Sequence, residues 1–250
     1  MAGEMRNQQE RNQQERKRRW RSRPHVWRGV LEALVLLSVP IVLVCCAVWD
    51  VKQSAGLTLF STVAALVLFF LGYERSRQPL SVLMATVVLA SLAAASRILL
   101  APVPQVKPLS AIAIIAGATF GRTCGFAVGA LAALLSNFFF GQGPWTPWQM
   151  YAWGMVGYGA GALCTFRWFQ KPVLLYAYGL LSGLLYGFIL NAWYAVGFIR
   201  PFTSAAIVTA CVAGFPFDLT HGVATVVFLL ILYAPWRKKL ERIKNKYLLD

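Results

Sequence analysis

From residue 30 onwards the chain is written in long apolar runs separated by short polar punctuation, and the run lengths set the elements. Two plain runs, 30–49 and 55–73, each approach the ~20 residues that a bilayer-crossing helix needs. They hold little but Leu, Val, Ala and Phe, with a short polar turn containing Asp50 and Lys52 between them, and predict a hairpin of lipid-facing helices. Glu74, Arg75, Arg77 and Pro79 break the pattern, and beyond them the texture changes to Ala, Gly and Ser with sparse polar positions. Runs at 80–100, 108–120, 124–140, 148–166, 173–199 and 202–233 predict six more helices, eight in all. The run from 108 is short for a crossing and reads as a partial or steeply embedded helix.

The expected fold is therefore an all-α integral membrane protein, a six-helix bundle preceded by two extra transmembrane helices. Its parts are a basic, mobile leader over 1–28, a transmembrane hairpin over 29–78, the six-helix membrane domain over 79–236 and a basic tail over 237–250. A hydrophobic content of 58% in 250 residues exceeds what a soluble domain of this size buries. The net charge of +15 gathers at the two ends: Arg16 to Arg28 before the first run, Arg237 to Lys246 after the last. This excess places both termini in the cytoplasm of a plasma-membrane protein. Arg75, Arg77, Arg122, Arg167 and Lys171 fall in inner loops, against Lys52, Lys107 and Arg200 outside. The basic tails read as orientation signals or contacts with anionic lipid rather than as nucleic-acid binders. In the leader the pentapeptide RNQQE repeats from Arg6 and from Arg11, with no apolar face to bury.

Small residues recur four apart: Gly125 and Gly129, Gly157 and Gly161, and Gly179, Gly183 and Gly187. Each row makes a smooth stripe for close helix approach. Ala90 and Ala94, with Ser91 and Ala95 beside them, make a similar stripe on the first helix of the six.

Several chemistries are excluded. There is no G-x-x-x-x-G-K-[ST] loop, no H-E-x-x-H and no G-x-S-x-G, and the two histidines, His25 and His221, lie far apart. The five cysteines sit in apolar segments without metal-site spacing, so neither disulfide, zinc nor any cofactor is expected. What remains is the stretch NFFFGQGPWTPWQMYAW over 137–153. Its glycines and prolines predict a loop of fixed shape over 141–147, and Trp145, Trp148 and Trp153 offer flat faces for a pocket mouth, the alternative being an interfacial aromatic belt. Around it stand Arg97, Asn137, Gln142, Gln149, Asn191, Asp218 and His221, polar groups at or near membrane depth that must face a cavity or one another. Asp218 and His221, three apart after a break at Gly214 to Pro216, are expected to pair. Arg97, one turn below an outer loop, either receives a carboxylate or phosphate or snorkels to headgroups.

With its Ala-rich first helix, the proline-bearing loop PVPQVKP and the string GATFGRTCGFAVGALAALLSNFFFGQGPWTPWQMYAWG, the second module resembles the substrate-binding S component of energy-coupling factor (ECF) vitamin transporters. The last string is similar to the branch associated with cobalamin-type substrates. The resemblance implies capture of a vitamin or related heterocycle from outside, and docking on a transmembrane coupling subunit driven by two ATPases. It implies that Ala90 and Ala94 dock on that subunit, and that Gln105, Gln142, Trp145, Trp148, Gln149, Asn191 and Trp193 line the site. The residues alone leave two other readings open: a membrane enzyme acting on a lipid or isoprenoid, with Asp218 and His221 as acid and base, and a scaffold whose basic tails recruit a partner.

Overall fold

A computed structural model of the chain describes residues 26–247, apart from 50, 52–53, 77, 167–168, 170 and 200–202. Residues 1–25 of the basic leader, Asp50, Lys52, Arg77, Arg167 and the turn at Arg200 and Pro201 lie outside the described residues, and the last three leader residues open the first helix. Among the described residues the chain forms eight helices and no strand: α1 Val26–Val48, α2 Ser54–Arg75, α3 Leu80–Leu99, α4 Leu109–Phe120, α5 Arg122–Phe140, α6 Trp145–Leu163, α7 Pro172–Phe198 and α8 Ser204–Tyr247. Six of them, α1, α2, α3, α5, α7 and α8, are long and apolar enough to cross a membrane.

The short helix sits at the centre. With 12 residues, α4 spans only about 18 Å at 1.5 Å per residue, short of the ~30 Å hydrocarbon core. It is apolar on every side and almost wholly buried, as a helix enclosed by others must be. The chain reverses at Gly121, whose φ of 100° suits a residue without a Cβ. α5 then turns back along α4, with Gly125 against Gly117.

Two of the glycine rows meet each other. A Cβ on Gly125 would strike the Gly157 carbonyl oxygen, and one on Gly157 would strike that of Gly125. Backbone touches backbone here, which packs α5 closely on α6. The third row packs α7 on α8: Gly183 lies against the backbone of Gly222, and Gly187 beneath the side chain of Asp218.

The first two helices are less exposed to lipid than their composition suggests. α1 turns Leu34, Leu37, Ile41 and Val44 outwards but buries Leu36, Val39, Leu43 and Cys46. With Ala65, Leu66 and Phe69 of α2 these form one core with Phe126, Trp148, Tyr151, Trp193 and Val196 of the bundle. Pro40 lies inside α1 and has no N–H, so the Leu36 carbonyl four residues earlier lacks its helical donor. The Tyr151 hydroxyl, reaching across from α6, donates to that carbonyl at 2.8 Å. Arg122 pairs with Glu32 at 3.2 Å at one end of the hairpin, and Ser54 Oγ donates to the Val196 carbonyl at 2.7 Å at the other.

α8 corrects a second expectation. The predicted break at Gly214 to Pro216 does not interrupt it, and the helix continues through Pro216 and Pro235 into the basic stretch. Proline is tolerated in a packed membrane helix because neighbours re-satisfy the freed backbone groups. Lys244 donates to the Thr119 carbonyl at 2.6 Å, so the cationic end of α8 caps the last turn of α4, where carbonyls lack helical donors.

Replacing Tyr151 by Phe removes one buried hydrogen bond and leaves the Leu36 carbonyl orphaned. Thermal unfolding in detergent should show a loss of about 1–2 kcal/mol; an unchanged midpoint would mean that the hairpin is held by apolar contact alone.

Candidate substrate site

At the end of the bundle opposite the Arg122–Glu32 pair, five of the six bundle helices direct polar or aromatic side chains into one buried network, and α7 closes it with Tyr186. Arg97, in the last turn of α3, is only 9% exposed and points inwards rather than to headgroups. Its Nη1 donates to Ser136 Oγ and to Asn137 Oδ1, each at 2.6 Å, and its guanidinium lies 4.6 Å from the Phe140 ring centroid and 4.7 Å from that of Trp153. Asn137 Nδ2 donates to Gln149 Oε1 at 2.8 Å and to Thr146 Oγ1 at 3.2 Å. On α4, the fully buried Ser110 hydroxyl accepts from Trp153 Nε1 at 3.0 Å and lies 2.7 Å from His221 Nε2 of α8. Tyr186 of α7 stacks on the His221 ring at 5.2 Å and lies 4.4 Å from the Trp153 ring.

The loop at this end is shorter than its sequence suggests. Helix α6 begins at Trp145, so the connection is only residues 141–144, and Pro147 falls in the first turn, where its missing N–H costs nothing. Thr146 locks it, donating to Gln142 Oε1 at 2.9 Å and accepting from the Gly143 amide at 3.2 Å. Gln142, exposed, also donates to the Leu134 carbonyl at 3.3 Å.

Trp145, Trp148, Trp153 and Trp193 do not gather around one pocket mouth. On a helix of 3.6 residues per turn, Trp148 and Trp153 point about 140° apart. Trp153 joins the polar network. Trp148, 0% exposed, stacks on Trp193 at 5.8 Å beneath the α1–α2 hairpin, with its Nε1 enclosed and without a hydrogen-bond partner among the described residues. Trp145 is 43% exposed and lies against Gly143.

The expected Asp218–His221 couple does not form either. Asn191 Nδ2 donates to Asp218 Oδ2 at 3.2 Å, in the space that the absent side chain of Gly187 leaves open, while His221 turns inwards to Ser110. Ala90 and Ala94 are 1% and 5% exposed inside the bundle, and the outward small residues of α3 are Ser91 and Ala95.

Gln105 lies in the loop between α3 and α4 with a φ of 58°, apart from the network. That loop is strapped by Lys107, whose ammonium donates to the Val103 carbonyl at 2.9 Å and also to those of Leu100 and Ala101. Burial, and secondarily the charge of Arg97, lower the Lys107 pKa from its ordinary value. Sequence reasoning missed Ser110, Ser136, Thr146 and Tyr186. The hydroxyls resemble packing residues in Ala-rich helices, and only the placement of Ser136 beside Asn137 hinted at more.

A family model described as "ECF-type riboflavin transporter, S component" matches residues 79–238, which is α3 to the basic turn of α8 and well over half of the chain. No curated protein and no solved structure matches.

The network itself is testable without cargo. Asn137→Ala should cost about 2–3 kcal/mol of stability, and the double change with Arg97→Met should cost less than the sum of the two, because the guanidinium that lost its acceptor is gone. Strict additivity in thermal unfolding would show that the two side chains are not coupled.

Proposed function

We propose a cargo and an orientation for this chain, which belongs to the family of S components of ECF-type riboflavin transporters and is therefore the membrane substrate-binding subunit of an ECF vitamin importer. S components confer specificity on a transporter and are not enzymes, so the acid–base reading of Asp218 and His221 and the scaffold reading are not favoured. Such a subunit works with an ECF module of a membrane coupling subunit and ATPases, which supplies the engine that this sequence lacks.

The cargo we assign is a flat heterocycle of the flavin class, taken up at the Arg97 end of the bundle, which faces outwards if the basic termini are cytoplasmic. One observation carries this reading: Trp153, Tyr186 and His221 form an aromatic stack beside Asn137, Gln149 and Ser110, amides and a hydroxyl suited to the polar edge of a ring. The GQGPWTPWQMYAW stretch supports a corrinoid as the second reading. A corrinoid needs far more room, and Ser110, Asn137, Trp153 and His221 are all buried. Docking on the coupling subunit would use the outward face of α3, where Ser91 and Ala95 lie rather than the enclosed Ala90 and Ala94.

Titration of the purified full-length protein with riboflavin, followed by quenching of flavin fluorescence, should show saturable binding, and Trp153→Ala should weaken it by about 1–3 kcal/mol. Saturation by cobalamin but not by riboflavin would move the assignment to the corrinoid, and no saturable riboflavin binding by folded protein would overturn the flavin reading.

A further inference from the structure

Between residues 79 and 238 the sequence holds a single carboxylate side chain, Asp218, against eight lysines and arginines. Asp218 is engaged by Asn191 on α7. Arg97, nine-tenths buried, therefore has no counter-charge: among the described residues the ion pairs join Arg122 to Glu32 and Arg237 to Glu241. Its bonded partners, Ser136 and Asn137, are neutral and both take Nη1, while Nε and Nη2 find no hydrogen-bond acceptor among the described residues. The Phe140 and Trp153 faces offset part of the cost of burying the cation, but a desolvated guanidinium without an anion remains expensive. A second cation, Lys107, is fixed on the loop at the same end, and Arg97's charge is felt there, which contributes to its lowered pKa.

We propose that the cargo carries a phosphate monoester that docks on the free edge of Arg97 under Lys107, so that this subunit selects a phosphorylated flavin over the neutral vitamin. This rests on the flavin reading above and goes beyond it. A phosphate monoester brings a charge of about −1.5 to −2 near neutral pH, which matches two cations better than a carboxylate does. Guanidinium presents paired N–H groups that fit phosphate oxygens. The flavin ring would lie beside the Trp153–Tyr186 stack while the phosphate fixes its direction.

A purely structural role for Arg97 would change the stability of the empty protein but not the ratio of affinities for two ligands that differ only in a phosphate. The test is therefore to titrate the full-length protein with riboflavin and with riboflavin 5′-phosphate. The ester should bind at least about tenfold more tightly, lose that advantage in Arg97→Gln, and keep only part of it in Lys107→Gln. Equal or weaker binding of the ester overturns the proposal and leaves the flavin reading standing, whereas failure of both ligands to bind removes both. Should Arg97→Gln not fold, an undiminished advantage in folded Lys107→Gln overturns the two-cation site.

Discussion

A guanidinium buried among membrane helices, with no carboxylate partner among the described residues, is the constraint around which one end of this bundle is arranged. Burial of the Arg97 charge has to be offset by neutral dipoles and ring faces, and the chain supplies them from Ser136, Asn137, Phe140 and Trp153. Those groups are fixed in turn: Asn137 by Gln149 and Thr146, Trp153 by Ser110, and Ser110 by His221. The order of the site is thus that of two hydrogen-bonded clusters, joined where the Arg97 guanidinium lies over the Trp153 ring and together reaching from α3 to α8.

Those clusters hold only because the helices approach closely. The reciprocal contact of Gly125 and Gly157 seats α5 against α6, which puts Asn137 within reach of Gln149 near the same end. The enclosed α4 gives Ser110 a fixed position between Trp153 and His221, and Lys244 caps its far end. The α1–α2 hairpin covers the other face of α6, sealing the Trp148–Trp193 stack and leaving Trp153 to the polar side. The two extra helices are therefore part of the packing that separates α6's two aromatic faces, a role their plain composition did not reveal.

Run lengths and punctuation revealed eight helices and the short central one, because crossing a bilayer constrains length and polarity strongly. The site was legible in part. Arg97, Asn137, Gln149 and Trp153 stood out as polar or aromatic groups where lipid would penalise them, and they meet. Ser110, Ser136 and Tyr186 did not stand out, since a hydroxyl in an Ala-rich helix satisfies itself on its own backbone as readily as it serves a site. Trp148 was read as part of the pocket because the loop was drawn three residues too long, and Trp193 because the family resemblance implied it. Moving the helix start to Trp145 fixes the facing of each tryptophan. Asp218 and His221 share a helical face, but the gap at Gly187 and the hydroxyl of Ser110, neither adjacent in sequence, decide their partners.

The most direct measurement is a structure of the full-length protein holding the small molecule that it retains through gentle purification. The account predicts a flat ring beside Trp153 and Tyr186, with an anionic group within hydrogen-bond distance of the Arg97 guanidinium. A ligand seated elsewhere, with Arg97 still bound only to Ser136 and Asn137, would contradict it.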